Sequence, residues 1–328
     1  MKLSRIQLLA IMVTVMSAMT SCRDELCYNH YPSLDVSLSW EHEWERDYGM
    51  NHSATWDASL HGFGYEDLRP GKPEWVNLIR FAADGSRHEN FLGNDGANVM
   101  MDMGEGQSLL LYNGDTEYII LSDIATPPKA RASATARTRT SLAAVSERHP
   151  DARTTNPPDV LYSAYVSDIP SVKKHENRPQ PVKMQPLVYT YVVRYEFEYG
   201  LEHVALARGA LGGMAESVYL LDGRSSDEST IIIYDCEIKD YGCEAHVRSF
   251  GVPAFPDEYY GRADDTKTET PARPYTLNLE VRLNNGKYVE FNTDISDQIA
   301  KQPRGGVIKV SGLRIEDEVS MSEAGFNV

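Results

Sequence analysis

Along most of the chain, large apolar side chains alternate with polar ones. In "LDVSLSW", Leu34, Val36, Leu38 and Trp40 fall on one side and Asp35, Ser37 and Ser39 on the other. This is the period-two pattern of a strand with one face in a core. "WVNLIRFAADG" repeats it, with Val76, Leu78 and Arg80 on one face and Trp75, Ile79 and Phe81 on the other. In "PLVYTYVVRYEFEYG", Tyr189, Tyr191, Val193, Tyr195, Phe197 and Tyr199 alternate with Thr190, Val192, Arg194, Glu196 and Glu198. Six large side chains on one face predict a well-packed sheet surface; a sugar-stacking platform is the alternative use of such a row. Further strands are predicted at "VLYSAYVSDIP", "STIIIYDCEI", "CEAHVRSFGV" and "GGVIKVSGLRIED".

Turn chemistry separates these runs. Asn113 and Gly114 stand between "SLLLY" and "DTEYIIL", and Asn285 and Gly286 between "YTLNLEVRL" and "KYVEFNTDI". Asn-Gly tolerates the positive φ angles of tight turns, so both positions predict hairpins. "SDQIAKQP" suits one helical turn capped by Asp294 or Ser296. Many short strands with few helices predict an all-β chain of two consecutive β-sandwich domains.

The composition changes at residues 126–158, "TPPKARASATARTRTSLAAVSERHPDARTTNPP", which is rich in Ala, Thr, Arg and Pro. Lys129, Arg131, Arg137, Arg139, Arg148 and Arg153 oppose only Glu147 and Asp151 there. Lacking sustained alternation, the segment is expected to be a long exposed loop, with a protease-sensitive segment or a contact for an acidic partner as alternatives. "SVKKHENRPQPVKMQP" has the proline and charge content of a linker. The expected domains are therefore residues 34–180 and 187–328, with the boundary near 177–186.

The first residues bear on location. Lys2 and Arg5 precede an apolar run from Ile6 to Met16, and the small residues Ser17, Ala18, Thr20 and Ser21 lead into Cys22. That order reads as a secretory signal. The run is shorter than the roughly 20 apolar residues a bilayer-crossing helix needs. The junction resembles a bacterial lipobox, whose cysteine carries fatty acyl chains such as palmitate; an ordinary signal that happens to contain a cysteine is the alternative. Residues 1–21 are then a leader, Cys22 the lipid attachment site and 22–33 a tether, with buried methylenes contributing about 0.8 kcal/mol each to membrane anchoring. Removing Lys2 and Arg5 with the leader leaves 30 basic residues against 48 acidic ones. Such an acidic surface disfavours nucleic acid and electrostatic docking to anionic lipids.

In an exported chain, Cys236 and Cys243 of "DCEIKDYGC" read as a candidate disulfide across a short loop, or as two free thiols in a strand pair. His246 alone does not complete a zinc set with them. No nucleophile elbow, zinc-protease helix, phosphate loop or dinucleotide fingerprint occurs in the sequence. The reading is accordingly a non-enzyme with no catalytic residue, metal or cofactor assigned. His42, His52 and His61 cluster near Trp40, Trp44, Trp56 and Tyr65. Trp44 and Trp56 are candidate ligand-binding aromatics, with core packing the alternative. Asn94, Asp95, Asp102 and Glu105 of "GNDGANVMMDMGEG" invite a calcium reading, but they lack the regular ligand spacing of a calcium loop, and turn chemistry explains them as well.

Several patterns occur together: Cys22 followed by "RDEL" and a strand ending in an aromatic, "ARGALGGMAESVYL" at 207–220, and "LEVRLNNGKYVEFNTDISDQI" at 279–299 leading into "GGVIKV". In these the chain resembles the Bacteroidales lipoproteins related to fimbrillins and to minor fimbrial anchoring subunits. The resemblance implies two β-sandwiches of transthyretin-like, Greek-key topology. It also implies a lipid-anchored, surface-exposed structural or adhesion subunit of an outer-membrane fimbria (pilus), with other fimbrial subunits as partners docked by strand addition. "LDVSLSW" follows Cys22 closely, and Arg46 is the one arginine between that strand and the body, which favours an anchor-like or terminal role. A surface glycan-binding lipoprotein of a polysaccharide-uptake system is the alternative.

Overall fold

The computed structural model describes residues 31–41, 56–102, 104–138, 149, 152–173, 176–256 and 274–316. Within them the first part of the chain forms β1 (Ser33–Trp40), β2 (Trp75–Phe81), β3 (Arg87–Gly93), β4 (Gly96–Met100), β5 (Gln107–Asn113), β6 (Ile119–Ser122), β7 (Arg131–Ala134), β8 (Arg153–Thr155), β9 (Tyr162–Ile169) and β10 (Asn177–Pro186). Seven of these close a barrel in the order β1-β10-β9-β5-β2-β3-β4. Alternate residues point inward as the sequence pattern requires. Leu34, Val36, Val76, Leu78, Leu109, Leu111 and Tyr162 share the interior, and Trp40 closes one side edge-on to Tyr162 at 4.9 Å.

The segment expected to be a linker is β10, a barrel strand. It runs parallel to β1 from Ser33↔Asn177 to Trp40↔Met184 and pairs β9 only at Gln185 and Pro186. Val182, Met184 and Pro186 point in and Pro181, Lys183 and Gln185 out. The prolines concealed this alternation. Pro179 and Pro181 have no N–H to donate, and they occupy a stretch with a ladder on one side only, where a strand tolerates proline.

The second part forms β11 (Tyr189–Tyr199), β12 (Val204–Ala215), β13 (Ser217–Tyr219), β14 (Ser229–Lys239), β15 (Gly242–Ser249), β16 (Thr276–Leu283), β17 (Tyr288–Asp294) and β18 (Gly306–Arg314). The main sheet runs β17-β16-β12-β14-β15-β11-β18. It turns over on itself along β14, whose early residues pair β12 while Glu237, Ile238 and Lys239 pair β15. The two layers enclose Tyr191, Val193, Tyr195, Leu211, Ile232, Leu277, Leu279 and Ile308. The row on β11 thus belongs to a core from Tyr189 to Tyr195, while Tyr199 at its end is exposed; within the core Tyr195 meets Tyr234 at 2.8 Å and donates to Asn278 O at 3.0 Å. Gly209 on β12 lies against the Tyr234 ring, where an added Cβ would come within 2.1 Å. The Asn285–Gly286 hairpin forms as expected, joining β16 and β17 with Gly286 at φ 88°.

Asn113 and Gly114 do not close a hairpin. The Asn113 amide donates to Asp115 and to Val160 O (2.8 and 3.0 Å), and its oxygen accepts from Tyr162 N at 2.6 Å. These bonds tie the end of β5 to the start of β9. The chain then leaves the barrel to form β6, which pairs β7.

The segment expected to be an exposed loop instead joins the two parts at both of its described ends. β7 lies between β6 and β13 in a three-stranded sheet, and β8 runs parallel to β14. Ala130, Ala132 and Ala134 are buried while Arg131 and Ser133 alternate with them. The period-two pattern was present, written in side chains too small to register as apolar. Arg137 fixes the far end through Ile233 O at 2.9 Å and Asp235 at 3.3 Å. Around the alanines, Ile79, Leu110 and Tyr112 from the outer face of the barrel pack with Ala215, Val218, Leu220 and Phe250 of the second part. This third core fuses barrel and sandwich. Enlarging it tests the fusion: Ala132→Leu is expected to cost about 1–3 kcal/mol by overpacking, read as a lower urea midpoint, and an unchanged midpoint would contradict the packing described.

Candidate functional site

Of the aromatic and histidine candidates, the structure brings Trp56, His61 and Tyr65 together. Asp57 caps α1 (Ala58–His61), accepting from Ser59 N and Leu60 N at 3.1 Å. Gly62 ends the turn at φ 83°. This delivers His61 into the junction between barrel and sandwich, where it is 6% exposed. Trp56 stacks on the His61 ring at 4.1 Å and 18°, and its indole donates to Phe63 O at 3.0 Å. Phe63 meets His246 edge-on at 4.6 Å. The structure therefore uses Trp56 to cover a buried histidine. Trp44, His42, His52 and Cys22 lie outside the described residues.

Beneath this aromatic cover sits Glu244 of β15, which sequence reasoning missed. It is 2% exposed. His61 Nδ1 donates to Glu244 Oε2 at 2.9 Å, since a carboxylate can only accept. The Tyr241 hydroxyl donates to the same oxygen. His246 Nε2 stands 3.7 Å from Oε1, beyond hydrogen-bond reach, and Oε1 has no hydrogen-bond partner. Arg194 lies 4.1 Å over the Tyr241 ring and pairs with Glu196 at 2.6 Å. Burial disfavours the Glu244 charge, but His246, the Tyr241 hydroxyl and His61 outweigh it and hold the carboxyl at about 2. The signal available in sequence was weak: a lone glutamate on the outward face of a predicted strand, alternating with the core residues Cys243, Ala245 and Val247.

Next to this cluster the two parts of the chain enclose a cleft of about 520 Å³. Asp67, Arg69 and the 156–159 turn form one wall; Thr190, His246 and Arg248 form the other. Its charged side chains are largely preset. Asp159 accepts from the backbone N–H groups of Glu117 and Tyr118, Asp67 accepts from Gly64 N at 2.7 Å, and Arg69 pairs with Glu66 at 2.8 Å.

The other candidates are placed elsewhere. Cys236 and Cys243 are free thiols. The pair Ile238↔Cys243 sets the two cysteines diagonally on β14 and β15. Diagonal neighbours lie about 7–8 Å apart, whereas a disulfide needs Cβ atoms within about 3.5–4.5 Å. Burial pushes the Cys243 thiol up to about 12 and raises Cys236 as well, so both are poor nucleophiles. The calcium candidates do not converge: Asn94 and Asp95 make the β3–β4 turn, and Asp102 binds Arg80, which also donates to Gln107 at 3.0 Å. Among the described residues no group of three or more His, Cys, Asp or Glu is placed to hold a metal.

Glu244 gives the junction a definite pH response. A carboxyl depressed in the folded state contributes stability above its ordinary value near 4.5, and that stability is lost as pH falls toward about 2. Between those values the wild-type melting temperature is expected to fall more steeply than that of Glu244→Gln, which starts lower and lacks the titration. Parallel curves would contradict the assignment.

Residues 63–235 match the family described as "Domain of unknown function (DUF5119)". No curated protein matches. A candidate adhesin from Bacteroides ovatus, 17% identical, superimposes with a TM-score of 0.55 over 88% of this chain and 94% of that one. That likeness shows a shared all-β fold. A candidate polysaccharide-binding protein from Bacteroides thetaiotaomicron is 10% identical, with a TM-score of 0.48 over 85% of this chain and 90% of that one. The fimbrial anchor protein Mfa2 from Porphyromonas gingivalis is also 10% identical, with a TM-score of 0.44 over 85% and 90% of the two chains.

Proposed function

The chain belongs to the DUF5119 family, a domain family of unknown function, and for this member we propose the role of a lipid-anchored structural or adhesion subunit of a fimbria on the cell surface. The observation that carries the reading is the fold shared with the Bacteroides ovatus candidate adhesin across both parts of the chain. The leader over residues 1–21, followed by Cys22, adds the means of attachment, and the acidic surface disfavours charge-driven lipid binding in its place.

Docking of further subunits is by strand addition. β17 and β18 are the two edge strands of the sandwich sheet, and an edge offers a row of backbone donors and acceptors to an incoming strand. In the barrel, β9 and β10 part after two residue pairs, leaving a slot of about 210 Å³ lined by residues 163–166 of β9, by Pro181, Val182, Lys183 and Gln185 of β10, and by residues 221–223 of the second part. β1 supports the anchor variant of this role: it lies between β4 and β10 with Leu34 and Val36 buried, so the first strand is integral to the barrel.

Fractionation of cells expressing Cys22→Ala tests the reading. The wild type is expected in the outer-membrane fraction together with fimbrial subunits, and the variant in soluble fractions. A variant that stays with the membrane overturns the lipid anchor, and a wild type purified from outer membranes without any fimbrial subunit overturns the assembly role.

A further inference from the structure

We propose that the cleft between barrel and sandwich is a binding site for a short neutral oligosaccharide. This is independent of the fimbrial role, which needs only sheet edges and an anchor.

The chemistry of the cleft narrows its ligand by elimination. Its volume of about 520 Å³ lies within the range of about 300–1,000 Å³ of ordinary ligand sites. Three arginines, Arg69, Arg137 and Arg248, are balanced by three aspartates, Asp67, Asp159 and Asp235. A phosphorylated or polyanionic ligand would face as many carboxylates as guanidinium groups. A cation would find no converging ligand set among the described residues. An apolar molecule would strip water from the unpaired donors and lone pairs of the charged groups, at a desolvation cost that apolar contact does not offset. An extended peptide is usually held by a strand edge or by apolar side-chain pockets, but here Thr190, His246 and Arg248 project from a sheet face.

What remains is a molecule rich in uncharged donors and acceptors on a rigid ring. Carboxylates and guanidinium forks placed side by side suit vicinal hydroxyl groups, which give a hydrogen to one and accept from the other. Two of the polar groups are held in place before binding. Asp159 is fixed by two backbone N–H groups, and Arg137 by Ile233 O and Asp235. Little side-chain entropy is then lost at these two residues on binding. Arg248 is exposed and has no hydrogen-bond or ion-pair partner among the described residues, so its donors are available to a ligand. Tyr118, 39% exposed and lining the cleft, offers an aromatic surface against which a sugar ring can pack.

Saturation-transfer NMR on the purified soluble protein, Cys22→Ala, tests this with a panel of neutral trisaccharides of glucose, mannose, galactose and xylose. Sialyllactose and trigalacturonate serve as acidic members. At least one neutral trisaccharide is expected to bind saturably, with affinity falling tenfold or more in both Arg248→Ala and Tyr118→Ala while their melting temperatures stay at the parent value. Both residues are exposed, so these variants keep the fold. Failure of every neutral member, binding confined to acidic members, or binding indifferent to both substitutions would overturn the proposal. None of these outcomes bears on membrane anchoring or subunit recovery.

Discussion

Ile79, Leu110 and Tyr112 point away from the barrel interior, and on an isolated barrel they would face water. Their burial against Ala215, Val218, Leu220 and Phe250 is the contact on which the rest of the architecture depends. The hydrophobic gain of about 25 cal/mol per Å² of apolar surface favours the contact. The alanines of β7 make it geometrically feasible, because side chains of that size let a third sheet pass between two larger bodies. The backbone of β7 is then satisfied on both sides, by β6 from the first part of the chain and by β13 from the second.

Given that fusion, the junction can hold chemistry that a flexible pair of domains could not. Glu244 loses solvent only because α1 arrives from the other part of the chain, bringing His61 and its covering Trp56. A buried carboxylate without such a partner would be strongly destabilising. The neighbouring cleft has the same origin. Its walls belong to different parts of the chain, so its shape persists only while the interface does. Arg137 links the two features, since it emerges from the connecting segment, seals that segment to β14 and lines the cleft.

Much of this was legible in sequence where side chains were large. β1, β2, β9 and β11 follow their alternating residues, and the all-β class follows from them. The hairpin at Asn285 and Gly286 forms because the strands on either side are long and complementary. The misreadings share one cause, which is that local chemistry was outvoted by distant partners. Asn113 and Gly114 look like a turn, yet Asn113 spends its amide on Val160 and Tyr162. Pro179 and Pro181 look like a linker, yet a strand with a neighbour on one side tolerates them. Ala130, Ala132 and Ala134 carry the alternation of a strand in residues that also suit a loop. Trp56 and His61 stand close together in sequence, but Glu244, the carboxylate that His61 bonds, lies far along the chain, and nothing local to His61 or Glu244 announces the other.

Barrel and sandwich are one cooperative folding unit because a common core and a shared sheet join them. Differential scanning calorimetry of the soluble protein tests this most directly. The structure predicts a single transition whose calorimetric and van't Hoff enthalpies agree. Two separable transitions, one for the barrel and one for the sandwich, would contradict it.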